Sequence, residues 1–196
     1  MSSALALASV TAVLKHVLEN GLAKAGVTSE IGADTAVSAM SPDRITAGAD
    51  EKAQLNLFLY LVTANTALRP GNGSTPRPLA LDLHYLLSAY GAQDFQAEIL
   101  LGHALQLLHV TPVLDRERIR RTISSLSHGT KARVVPPALA ALAASDVADR
   151  VERIEITPAF LPGDEMSKLW SAMQARYRPS AAYRVSAVMI DGGAGA

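Results

Sequence analysis

MSKLWSAMQARYRPSAAYRVSAVMID, residues 166–191, is the stretch whose reading decides the fold. Met166, Leu169, Trp170, Met173 and Tyr177 fall at i, i+3, i+4, i+7 and i+11, which is one apolar stripe of a helix. Pro179 is expected to stop that helix, because the residue before a proline is pushed out of the α region. Beyond it, Tyr183, Val185, Ala187 and Met189 alternate with Arg184, Ser186, Val188 and Ile190, the period of a strand with one strongly apolar face. The helix stripe and that strand face are expected to bury each other, with Trp170, the single tryptophan, as anchor. This unit explains a fold and, by itself, no activity.

Working outward, Pro162 starts the Trp170 helix, and Val151 to Thr157 sets Ile154 and Ile156 against Arg153 and Glu155, a further strand. Pro136 and Pro137 open a short Ala/Leu helix to about Ala144. Two helices precede it. One follows Asp94, which can cap it, carries Ile99, Leu100, Ala104, Leu107 and Leu108 on one stripe, and ends at Pro112; the other runs from Asp115 to Leu126. Leu79, Leu81, Leu83, Tyr85 and Leu87 line one face of a strand, with Ala80, Asp82, His84, Leu86 and Ser88 on the other. QLNLFLYLV, residues 54–62, is apolar at nearly every position, as in a strand covered on both faces, and is expected at the centre of the sheet. These two strands can pair as a hairpin around Arg69 to Pro78, a loop with three prolines and two glycines.

At the beginning of the chain, Ser2 or Ser3 can cap a helix that buries Val10, Val13, Leu14, Val17, Leu18 and Leu22 and stops at Gly26. Val27 to Asp34 reads as turns, Thr35 to Met40 as a short strand ended by the turn Ser41-Pro42-Asp43, and Ile45 to Lys52 as loop. Helices do not interleave regularly with strands, so the class is α+β. One domain is expected over residues 1–191, with 192–196 as a flexible tail.

Composition narrows the function. The chain has 196 residues, enough for one substantial core, and 49% hydrophobic against 18% charged residues, so it should fold. Lys+Arg and Asp+Glu are 18 each, which argues against bulk binding to nucleic acid or an anionic membrane. There is no cysteine, which excludes disulfides, thiolate catalysis and cysteine-based zinc sites. Met1 to Leu14 lacks the basic region of a signal peptide and reads as mature structure. Ala53 to Leu68 is shorter than a membrane span of about 18 residues and reads as buried strand.

Few residues invite chemistry. Asp82 and His84 lie two apart on one strand face, where the carboxylate could orient the imidazole as a base; the alternative is a hydrogen-bonded polar face. No GxSxG elbow supplies a serine partner. His103 and His109, six apart on one helix, are too far along it for easy chelation, and there is no HExxH. Residues 71–75 and 129–131 lack the spacing of a phosphate loop. From Asp115 to Arg133, six cations (Arg116, Arg118, Arg120, Arg121, Lys131 and Arg133) face two acids. Such a run is ordinarily a solvated helix face; its functional reading is a dock for an acidic protein surface.

Five separated segments, taken in order, resemble a known family: ALASVTAVLKHVLENGL (6–22), LNLFLYLVTANTALR (55–69), PLALDLHYLLSAYG (78–91), ILLGHALQLLH (99–109), and EMSKLW with YRPSAAYRVSAVMID (165–170 and 177–191). They resemble the cap, or tube-terminator, proteins of phage-tail-like contractile injection systems. The resemblance implies a mixed sheet flanked by helices, similar to phage tail-terminator proteins, and no catalytic residue, metal or cofactor. It implies a hexameric ring on the last layer of the inner tube that stops tube growth and fixes the distal end of the sheath. The implied partners are further copies of the chain, the tube protein and the sheath protein, with neither nucleic acid nor membrane. Synthesis and assembly would be cytoplasmic, within a particle that can be released. The competing readings are a cargo-loading adaptor of the particle and a small hydrolase using Asp82 and His84.

Overall fold

A computed structural model describes residues 5–48, 50–65, 79–128, 142 and 153–190. Among these, six strands form one sheet: β1 (Ala36–Ser38), β2 (Gln54–Ala64), β3 (Leu79–Tyr90), β4 (Val113–Asp115), β5 (Arg153–Ala159) and β6 (Ser180–Ile190). Their spatial order is β1-β2-β3-β6-β5-β4; β1 joins β2 in parallel and the other neighbours are antiparallel. The helices are α1 (Ala6–Ala25), α2 (Val27–Ile31), α3 (Gln96–Val110), α4 (Arg116–His128) and α5 (Gly163–Ala172). The α+β expectation holds.

The pleat divides the core. Leu83, Tyr85 and Leu87 of β3 stand opposite Val185, Tyr183 and Ala181 of β6. All but the partly buried Ala181, which packs against it, belong to the main core, which α1, α3 and α4 cover with Val10, Leu14, Leu18, Leu100, Leu108, Ile119 and Ile123. Every apolar position expected on the face of α1 is buried, and Gly26 ends the helix in the left-handed conformation at φ +70°. The Tyr85 hydroxyl is fully enclosed, 2.8 Å from Thr11 Oγ1, and burial pushes its pKa up, so it stays protonated. Tyr85→Phe removes that bond but leaves Thr11 its bond to the Leu7 carbonyl; it should cost about 1 kcal/mol in urea unfolding. A neutral result would show that the hydroxyl pair adds no net stability.

On the other sheet face, Leu86 and Tyr90 of β3 pack with Ile45 and with Met166 and Trp170 of α5. This corrects one expectation. The stripe of the Trp170 helix does not bury against Tyr183 and Val185, which sit on the opposite side of the sheet. The sequence period shows that a face is apolar but not which helix reaches it.

Five further expectations are revised. β6 does not alternate throughout: Leu83 pairs with Val185 but Leu81 with Val188, so a bulge adds a residue and turns Val188 into the main core. β2 is not central; β3 and β6 are, and past Leu57 its side chains become progressively exposed. Within the turn-rich passage, Val27–Ile31 forms a short helix that buries both end residues. Finally, α5 ends at Ala172 rather than near Pro179: Gln174 adopts φ +52° and the Met173 N–H donates to the Leu169 carbonyl, closing the last turn early. Asp94 does not cap α3; Phe95 occupies that position without a side-chain cap, in a left-handed conformation. The expected loop at 69–78, the helix from Pro136 apart from the single residue Leu142, and the tail 192–196 lie outside the described residues, as do Ser2 and Ser3.

A basic cleft and a polar sheet face as candidate functional sites

Helix α4 begins where the sequence predicts. The Asp115 carboxylate caps it, with Oδ1 accepting the Arg118 N–H at 2.8 Å. Ile119 and Ile123 turn into the core and Thr122 is buried with them, which leaves the arginines on the outer side of the helix. The four arginines then separate by helical phase. Arg118 and Arg121 line a cleft of about 500 Å³ between α4 and α1, with Leu107 of α3 beside them, whereas Arg116 and Arg120 are not among its lining residues. Lys131 and Arg133 lie outside the described residues.

The opposite wall comes from α1. His16, Asn20 and Lys24 recur every fourth residue and so form one stripe, facing Arg118, Arg121 and Ser125. Ser125 Oγ lies 3.0 Å from His16 Nε2 and also donates to the Thr122 carbonyl at 2.7 Å. Arg121 pairs with Glu117 at 3.3 Å on an exposed surface, a contact of little energetic weight. The α1 residues of this cleft were not anticipated from the sequence, because only the packing of α1 beside α4 brings them to the arginines.

Asp82 and His84 share a sheet face, as expected, but they engage the neighbouring strand and its end. Asn65 Nδ2 donates to Asp82 Oδ1 at 2.8 Å, and Thr63 Oγ1 lies 2.9 Å from His84 Nε2. His84 also meets the Tyr60 ring, with centroids 6.2 Å apart. The imidazole is oriented by a threonine and not by the carboxylate, so the pairing a base would need is replaced by cross-strand hydrogen bonds. His103 faces Glu30 at 2.8 Å. Among the described residues no three His, Asp or Glu side chains are grouped to hold a metal ion, and no helix is long and apolar enough to cross a membrane.

At the sheet end where β2 begins, Glu51 and Arg178 form a part-buried pair that the sequence did not announce. Arg178 Nη2 donates to Glu51 Oε2 at 2.6 Å and Nε to Oε1 at 3.2 Å, while the Gly91 N–H also reaches Oε1 at 3.1 Å. Only 6% of the Glu51 side chain is exposed. The pair ties the segment before β2 to the residues on either side of the sheet centre, and Arg178 lies 5.8 Å from the Tyr90 ring centroid.

These features define a class: an α+β domain on a six-stranded mixed sheet, with three helices closing one face and a single helix part of the other. The chain belongs to the Pvc16 N-terminal domain family, whose model matches residues 9–195. The resemblance drawn from five sequence segments is borne out by that match. No curated protein matches the chain. Among solved structures, the chain is similar to the sheath/tube terminator, in its extended state, of the extracellular contractile injection system PVC, at 15% identity and a TM-score of 0.49, over 89% of this chain and 56% of that one. It is also similar to the anti-feeding prophage cap, described as the AFP tube terminating cap, at 15% identity and a TM-score of 0.46, over 74% of this chain and 45% of that one. The chain therefore spans about half the length of these solved proteins.

Proposed function

We propose that this chain is a structural cap protein of a contractile injection system. It forms a hexameric ring on the distal end of the inner tube, stops tube growth and anchors the last sheath layer. Its partners are copies of itself, the tube protein and the sheath protein; nucleic acid, membrane and cofactor play no part. It is made and assembled in the cytoplasm and becomes part of a particle that can be released. The observation that carries this reading is the family match over residues 9–195.

Physical features support it. A ring of identical subunits needs two unlike patches that meet around the circle, and a neutral chain with one basic cleft has the charge asymmetry to provide them. Anchoring of an extended partner segment needs a free strand edge. β1 covers β2 only at Gln54–Asn56, and beyond that, among the described residues, β2 has β3 as its one strand partner. Its exposed Leu61 and Val62 make that edge a place for an added strand. The cross-strand partners of Asp82 and His84 support a structural rather than a catalytic role.

Electron microscopy of particles from cells with and without this chain tests the reading. Its loss should give tubes of uncontrolled length, or sheaths unstable at the distal end. Particles of normal length with intact ends would overturn the cap role and leave a cargo-loading adaptor as the better account.

A further inference from the structure

Helices packed side by side ordinarily meet along apolar stripes. α1 and α4 depart from this over part of their contact, where they turn polar stripes toward each other: His16, Asn20 and Lys24 on one wall, Arg118, Arg121 and Ser125 on the other. The single direct bond among these six side chains is that between Ser125 and His16. Lys24 and Arg118 enter no ion pair among the described residues, and Arg121 is held only by the exposed Glu117. Among the described residues, no aspartate or glutamate lines the cleft. Cations on both walls with no acid between them repel one another, and an anion placed between them relieves that repulsion.

We propose that this cleft binds the carboxylates of an acidic protein segment. The layout selects carboxylates spread along a chain over a compact phosphate. A phosphate site typically offers converging backbone N–H groups at a free helix N-terminus. Here the start of α4 is already capped by Asp115, and α1 lines the cleft with its C-terminal half, so no free helix N-terminus faces it. The donors stand on separate side chains, and the α1 stripe from His16 to Lys24 runs about 12 Å along its axis. Several carboxylates at peptide spacing match that length, whereas a single phosphate would reach only one end. The inference is independent of the cap reading: a chain with no role on a tube would still bind such a segment.

The test is fluorescence anisotropy of a labelled oligoglutamate peptide with the full chain at low ionic strength. Saturable binding is expected. Lys24→Gln with Arg118→Gln should weaken it roughly tenfold, while Arg116→Gln with Arg120→Gln, the same change in net charge on residues outside the cleft, should leave affinity within about threefold. Circular dichroism of both variants checks that each remains folded. Equal losses in the two variants would assign binding to the general field of α4 and overturn the cleft. Displacement of the peptide by inorganic phosphate at equal charge concentration, or equally tight binding of a single-stranded oligonucleotide, would overturn the carboxylate assignment.

Discussion

Trp170→Ala is expected to cost about 3–5 kcal/mol of stability, the range for truncating a buried tryptophan. Trp170 is 2% exposed and is the largest member of the small core that holds α5 on the sheet, with Leu86, Tyr90, Met166 and Ile45 around it. That core has few members, so neighbours have little scope to collapse into the vacated space. The Tyr177 ring, 5.7 Å from the indole centroid, loses its support as well. Among the described residues the indole N–H has no acceptor, so the loss is one of packing and not of a hydrogen bond. Trp170→Phe should retain much of the contact and lose distinctly less. Urea unfolding followed by far-ultraviolet circular dichroism measures both. A cost below about 1 kcal/mol for the alanine variant would mean that α5 is not held by this cluster.

Glu51→Ala should cost about 1–3 kcal/mol, because it leaves Arg178 without its carboxylate partner and the Gly91 N–H without its acceptor at a part-buried site. Glu51→Gln keeps an oxygen for Gly91 but removes the charge, and should fall between alanine and the native residue. The pH dependence follows from the same contacts. Burial by itself pushes the Glu51 carboxyl up, but the Arg178 guanidinium and the Gly91 and Gly48 N–H groups outweigh it and hold the pKa below the ordinary 4.5. A depressed folded-state pKa means that the stabilisation is fully present above 4.5 and is lost as pH falls through the folded value. The stability gap between the native chain and Glu51→Gln should therefore be widest near neutral pH and close on acidification below 4.5. A gap unchanged by pH would show that the ionised carboxylate is not what stabilises this corner.

How much of this was legible in the sequence depends on the range of the forces involved. The face of α1, its stop at Gly26, the β2–β3 hairpin and the stripe of α3 all follow from neighbours within a few turns, and they read correctly. Tertiary pairing decides what failed. The bulge that turns Val188 inward exists because β3 and β6 must stay in register, and nothing in the local pattern announces it. The apolar run of β2 suggests a central strand, but its first residues are apolar because the helices cover them, while Leu61 and Val62 remain exposed. For the basic helix, spacing alone could have separated Arg118 and Arg121, with Ser125 one turn on, from Arg116 and Arg120. Lys24 and His16 could not have been found that way, since some ninety residues or more separate them from α4.

The central place of β6 has a further consequence, for the order in which the chain can fold as it is made. β6 is the one strand that joins β1-β2-β3 to β5-β4. β3 is complete at Tyr90, yet its partner begins at Ser180. At ribosomal speeds of about 5–20 residues per second, the inner edge of β3 waits on the order of ten seconds for it. Until then the sheet exists as two unconnected pieces, and the Leu-rich edge of β3 is open to other chains. A nascent chain stopped before Ser180 would present neither a continuous sheet nor the full set of surfaces on it. A chain stopped before β6 would lack the strand that closes the sheet and would be a substrate for chaperones and proteases.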